Sequence, residues 1–237
     1  MNARGLVNTN PRAFTLTGAF PSTPSRDYRF DEDTGTTIND SSSSGQHVSI
    51  SGTGAGDGWG TGQGYVLSGD QTVDFSLGMF PASGDFTWLI HQGPMNDTTA
   101  NAGVGANYIN GSNGSNDFDV RYYAPNQIRY SHEDDGDTYL FGSTAVLEDC
   151  NTTDSVWVIT KDGNVLSSWV GHDDGDYVQT DRKTFASEIV FGPNIILEAC
   201  TVSGGADALV KTKRMASWDR TLTDVEIVKT LKQLLNP

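Results

Sequence analysis

The sequence predicts an all-β protein: a two-sheet antiparallel jelly-roll sandwich followed by one short C-terminal helix. Three observations predict it. About a dozen short runs rich in β-branched and aromatic residues recur along the chain, separated by clusters of Gly, Asn, Asp and Ser, a spacing that packs as a sandwich rather than as βαβ units. Two of these runs, 156–160 and 165–170, flank Lys161-Asp162-Gly163-Asn164, and Asp-Gly between apolar segments is the strongest short-range hairpin signal. A helical period is confined to the tail after Thr221.

Taken in order, residues 1–26 are a polar arm with one apolar run, Ala13 to Thr17, and the sandwich domain occupies 27–237. Such an arm buries little by itself and is expected to lie extended against a neighbour. Strands are expected near 28–30, 36–40, 47–51, 65–67, 72–77 and 86–91, the last with apolar residues in both phases and so covered on both sides. The segment 52–64 is Gly-rich and irregular, and 92–116, dense in Asn, Gly and Ser, reads as the longest loop. Further strands follow at 118–123, 127–131, 138–141 and 143–147. Then comes the central hairpin, with Trp157 and Trp169 as core anchors, and after it strands at 187–191, 194–201 and 208–213. Thr223 with Glu226 three residues later forms a capping box. Val225, Val228, Leu231 and Leu235, with Ile227 and Leu234 beside them, make the apolar face of the helix.

Composition excludes several functions. Fifteen basic against thirty acidic residues give a net charge of -15, so a sequence-independent grip on nucleic acid phosphates or on an anionic membrane surface is not expected. No window approaches the roughly 18 apolar residues of a membrane-spanning helix. The first dozen residues have no uninterrupted apolar core, so synthesis and folding in a cytoplasm are expected unless a leader was removed before this numbering began. In that compartment Cys150 and Cys200 are expected as buried free thiols.

Three segments carry a family likeness. Tyr28-Arg29-Phe30-Asp31-Glu32 with Gly35-Thr36-Thr37-Ile38-Asn39-Asp40-Ser41 resembles the opening of laminin G-like jelly rolls of the concanavalin A-like lectin/glucanase superfamily. The Trp157 to Gly171 segment resembles its central hairpin, and Met215 to Ile227 its closing strand and short helix. The likeness spans about 28–235, each motif being degenerate and their order carrying the weight. It implies the fold, and a habit of binding glycans, proteins or calcium at loop edges.

Sugars offer an apolar face and a rim of hydroxyls, so their recognition calls for aromatic platforms beside amides. Trp59, Tyr108, Asn110, Tyr122 and Tyr123, in or near polar Gly-rich segments, are the glycan-binding candidates. For Trp59 the competing role is loop anchoring. Two acidic turns supply hard oxygens suited to Ca²⁺: Asp134, Asp135 and Asp137, and Asp173, Asp174 and Asp176. The plainer reading of each is a hairpin turn with its carboxylates in water, since the EF-hand spacing with its closing Glu is missing. No cofactor is required by anything in the sequence. The glucanases of the resembled superfamily carry closely spaced Glu and Asp on one strand. None of the six Glu lies in such a cluster, and no Gly-x-Ser-x-Gly elbow occurs, so a non-enzyme is expected.

These readings converge on a non-catalytic structural and adhesion protein, a decoration, spike or fibre subunit on the surface of a bacteriophage-like virion. Its arm, through Arg4, Arg12, Phe14, Leu16 and Phe20, would hold other virion subunits or further copies of itself, while its loops touch glycans. The alternatives are a stand-alone, extracellular lectin-like module and, third, a polysaccharide hydrolase or lyase.

Overall fold

The structure, a computed structural model, describes residues 20–51, 58–59, 64–67, 72–75, 79, 81, 84–93, 105–111, 118–123, 127–134, 137–143, 153–172, 177–185, 196–198, 200–201, 207–208 and 210–235. Between 105 and 143 and between 196 and 210 the backbone alone is described. In chain order the elements are β1 (Arg26–Tyr28), β2 (Thr37–Ile38), β3 (Val48–Ser51), β4 (Gly58–Trp59), β5 (Tyr65–Leu67), β6 (Thr72–Asp74), β7 (Phe86–Gln92), β8 (Gly105–Gly111) and β9 (Phe118–Tyr123). They continue with β10 (Gln127–Asp134), β11 (Asp137–Ser143), β12 (Ser155–Asp162), β13 (Val165–His172), β14 (Tyr177–Thr184), β15 (Ile196–Glu198), β16 (Cys200–Thr201), β17 (Asp207–Ala208), β18 (Val210–Trp218) and α1 (Asp224–Leu235).

They form a two-sheet antiparallel sandwich with a C-terminal helix. The first sheet runs β14-β13-β12-β7-β18-β5-β4, with β1 also paired to β18; the second runs β11-β10-β9-β8-β15-β6-β3-β2; β16 and β17 make a separate pair. The organising hairpin is β12–β13, in register from Ser155↔His172 to Asp162↔Val165. Its two central residues are therefore Gly163 and Asn164, one place later than the Asp-Gly signal suggested. Gly163 has φ +57°, and Gly at the first central position is what a II′ turn demands.

Because partners directly opposite in a ladder share a face, the register separates two layers of core. Trp157 lies opposite Ile90 and Val170, and Ile159 opposite Trp88; these side chains are fully buried on the first sheet's inner face. Val158 lies opposite Leu89 and Trp169. With Val156, Ala216 and Trp218 they build an outer core, covered by Leu222, Ile227, Leu231 and Leu235. Trp157 and Trp169 are both core, as expected, but on opposite faces. All seven residues of β7 are buried, the two-sided cover its sequence predicts.

Four expectations are corrected. The expected 92–116 loop contains a seven-residue strand, β8, paired with β9 and touching β15. Its polar Asn and Gly content masked a position inside a sheet, where neighbours supply the ladder hydrogen bonds. β14 was not expected: Tyr177-Val178 is followed by polar residues, because this strand closes one end of the first sheet and Gln179, Arg182 and Thr184 meet solvent. Within the Gly-rich 52–64 segment, Gly58 and Trp59 pair with Val66 and Tyr65. Finally, α1 buries Ile227, Thr230, Leu231 and Leu235, while Val225 is 63% exposed. Leu222 and Ile227, placed before the cap and at the fourth helical position, are both in the outer core. This pairing is a hydrophobic staple, and it sets the helix phase one step away from Val225.

The entry to the sandwich is clamped. Asp27, 3% exposed, accepts two hydrogen bonds from the Arg214 guanidinium at 2.8 and 2.9 Å. That guanidinium lies 3.9 Å from the Phe20 ring centroid, and Phe20 packs edge-on to Trp218. Asp40, 5% exposed, accepts from the Asp27 and Ser42 amides. Burial works to raise its pKa, but hydrogen bonds from Ser44 and Ser42 and these backbone groups outweigh it and lower it.

Candidate functional site

The chain between β18 and α1 is pinned across the outer face of the first sheet. Thr87 Oγ1 donates to the Arg220 carbonyl at 3.0 Å and accepts from the Leu222 amide at 2.8 Å. The Thr221 hydroxyl donates to the Lys161 carbonyl at 2.5 Å. The capping box then closes the first helical turn: the Thr223 amide donates to Glu226 Oε2 at 2.9 Å, and the Glu226 amide to Thr223 Oγ1 at 3.4 Å. Arg220 donates to both carboxylate oxygens of Glu226, at 2.6 and 3.0 Å, and to Ser22 Oγ at 2.8 Å. Those Arg220 bonds, followed by the Thr223 amide, hold the Glu226 carboxyl down to about 2.

Opposite stands the β12–β13 turn, itself fixed. The Gly163 amide donates to Asp85 Oδ1 at 2.7 Å, and Asn164 Nδ2 donates to the Phe185 carbonyl at 2.6 Å. Lys161 Nζ donates to the Gly84 carbonyl at 2.9 Å.

Between the two lies an open groove of about 710 Å³. Its floor is the outer face of β12 and β13: Thr160 and Ser167, directly opposite in register, with Val165 and Trp169. These two hydroxyl residues and Trp169 are largely covered, at 5%, 6% and 8% exposure. The walls are Asp85 and Asp162 on the turn side, the exposed Arg182 of β14, and Thr221 to Val225 at the start of α1. Among the described residues, Val225 is the one large apolar side chain left exposed. Hydroxyls, carboxylates and a guanidinium thus alternate with apolar surface from Trp169, Val165 and Val225, the mixture that a polyhydroxylated ligand with apolar ring faces requires.

A second polar cluster lies further along that face. Asp154 accepts from His91 Nε2 at 3.1 Å and from Lys213 Nζ. Burial works to raise its pKa, but the hydrogen bonds from His91 and Lys213 and their charges hold its carboxyl below the usual range. Among the described residues no group of three His, Cys, Asp or Glu side chains is placed to hold a metal ion.

The sequence-derived candidates lie elsewhere. Trp59 Nε1 donates to the Gly35 carbonyl at 2.9 Å and its ring meets Tyr65 edge-on at 5.0 Å, contacts that tie β4 to the Gly35 turn. Tyr108 falls at the register shift between Asn107 and Ile109 in β8, and Asn110 pairs with Asp119 and Ile196. Tyr122 and Tyr123 pair with Ala106 and Gly105. The side chains of these four lie outside the described residues. Asp134 and Asp137 face each other across the end of the β10–β11 hairpin, which is where the first acidic turn was expected. Asp135, Asp173, Asp174 and Asp176 lie outside the described residues, as do Arg4, Arg12, Phe14 and Leu16. Phe20, counted with the arm in the sequence, lies in the outer core of its own chain. None of the groove residues was singled out as a ligand-binding candidate. The signal that pointed there was the staple: once Leu222 and Ile227 set the phase of α1, Val225 must face out.

No protein-family model matches this sequence, and no curated protein matches it. Solved structures do. The botulinum neurotoxin serotype D binding domain superposes with a TM-score of 0.66 at 9% identity, over 89% of this chain and 52% of that one. The binding domain of botulinum neurotoxin DC in complex with rat synaptotagmin II gives 0.66 at 11% identity, over 90% and 52%. The same domain in complex with SialylT gives 0.67 at 11%, again over 90% and 52%. This chain therefore spans about half the length of the domains it matches. At such identities the likeness is one of fold, and the fold is the antiparallel β-sandwich described above.

Proposed function

We propose that this chain is a non-catalytic, lectin-like module of the concanavalin A-like, laminin G-like kind whose ligand is a glycan. In this reading it serves as a structural and adhesion subunit, a decoration, spike or fibre protein, on the surface of a bacteriophage-like virion. The observation that carries the glycan part is the groove between the β12–β13 turn and the start of α1. There paired hydroxyls, rim carboxylates and exposed apolar surface face one open space. The similar structures lend support, because two of them were solved with a glycan-named ligand or with a protein partner. The virion setting is supported by the polar arm with its scattered apolar anchors and by the strongly acidic composition.

Nothing in this reading needs a cofactor. Two measurements on the full chain test it. A glycan array reads the ligand, and light scattering coupled to gel filtration reads assembly. Glycan binding by a defined oligomer is the expected result. Glycan binding by a strict monomer would shift the setting to a stand-alone module. New reducing ends or unsaturated products from a bound polysaccharide would replace the reading with an enzyme.

A further inference from the structure

We infer that the groove selects uncharged glycans, reading them through carboxylates used as hydroxyl acceptors. This rests on the proposal that the groove is a glycan site and names the class of glycan it takes.

Three carboxylates, Asp85, Asp162 and Asp224, line the groove against two guanidiniums, Arg182 and Arg220. Arg220 is already committed to both oxygens of Glu226, so it brings little net positive field to the groove. The whole chain, these groups included, carries a net charge of -15. A sialylated or sulfated sugar entering here meets excess negative charge. Each uncompensated carboxylate about 6 Å away in a water-like medium weakens an anion on the order of threefold.

The hydrogen-bonding inventory points the same way. A carboxylate is acceptor-only and forms charge-assisted bonds with sugar hydroxyls, which are donors. Asp162 and Asp224, both exposed, stand on opposite walls. On the floor the hydroxyls of Thr160 and Ser167 sit side by side across the β12–β13 ladder. Such groups both donate and accept, and they match a neutral polyol. Val165 within the groove and Val225 on its lip supply the apolar surface on which a pyranose ring face rests, with the largely covered Trp169 beneath them. The volume is in the range of small-ligand sites and suits a short oligosaccharide.

The experiment uses the full chain on an array carrying matched neutral, sialylated and sulfated glycans. Calorimetry with the best neutral oligosaccharide follows, from about 50 to 500 mM salt. Neutral glycans are expected to dominate, with affinity changing less than about twofold across that range because an uncharged ligand has no screened attraction to lose. Asp162→Asn and Ser167→Ala are each expected to weaken binding by about tenfold, with melting temperatures that stay close to the parent chain. Lys229→Gln, on the exposed side of α1, is expected to leave binding unchanged. Dominant binding of sialylated or sulfated glycans would overturn the uncharged class while leaving the glycan reading intact. Neutral binding untouched by both groove substitutions would overturn the groove as its site. An array without a single bound glycan would remove the underlying reading and this inference with it.

Discussion

Trp88 and Trp157 occupy the same inner face of the first sheet, both fully buried, yet their indole nitrogens fare differently. Trp157 Nε1 donates to Ser155 Oγ at 3.1 Å, whereas Trp88 Nε1 is buried and has no acceptor among the described residues. Replacing either by Phe removes the same volume, and the two substitutions differ in whether an indole hydrogen bond is lost. Trp157→Phe is expected to cost about 1 kcal/mol more than Trp88→Phe in urea unfolding, because Ser155 is left with an unmet acceptor. Equal costs would show that the Trp157 bond contributes nothing. Gly64 gives a second test at this scale. It has φ +123°, and a Cβ there would sit 2.9 Å from Lys211 Cε and 3.0 Å from the Thr212 carbonyl oxygen. Gly64→Ala is expected to destabilise by about 2 kcal/mol, from backbone strain plus a contact with rigid backbone, measured by thermal unfolding. That both tryptophans are core was legible from their place in apolar runs. That the Trp88 indole is left without a described acceptor was not, since the space around it is set by packing between segments far apart in the chain.

At the scale of elements, α1 shows how far local signals reach. The Thr223 and Glu226 pair was readable as a capping box because both partners lie within one turn. Its second partner, Arg220, is also close in sequence, yet the bidentate pair depends on the chain leaving β18 at the right angle. The Glu226 carboxyl is held below its ordinary value of 4.5, at about 2. Its contribution to stability is therefore complete above about 4.5 and lost as pH falls toward about 2, where the folded form also takes up the proton. Glu226→Gln is expected to cost about 1 kcal/mol at neutral pH. It should also flatten the melting curve against pH in that acid window. Parallel curves for the two proteins would exclude the linkage. β8 and β14 are the counterexamples among strands. Each is too polar to announce itself, and each exists because a neighbouring strand offers a ladder.

For the whole molecule, the first sheet is covered on both faces, by the second sheet and by α1 with Phe20. Phe20 holds the N-terminal end of the described chain to that outer core beneath Arg214. Phe20→Ala is expected to lower stability by about 3 kcal/mol, read from denaturant midpoints. A loss under 1 kcal/mol would show that the clamp from Asp27 to Arg214 holds this segment unaided. By itself the sequence determined the sandwich class, the β12–β13 hairpin, the two-sided burial of β7 and the capped final helix. These follow from alternation, turn chemistry and caps, which act within a few residues. The tertiary structure alone decided which tryptophan faces which core, which helix face is buried, and that Asp85, Ser167, Arg182 and Val225 meet around one groove. Those outcomes depend on register and crossing between segments up to 140 residues apart. No local pattern carries that information, because free energy of packing is settled between surfaces rather than along the chain.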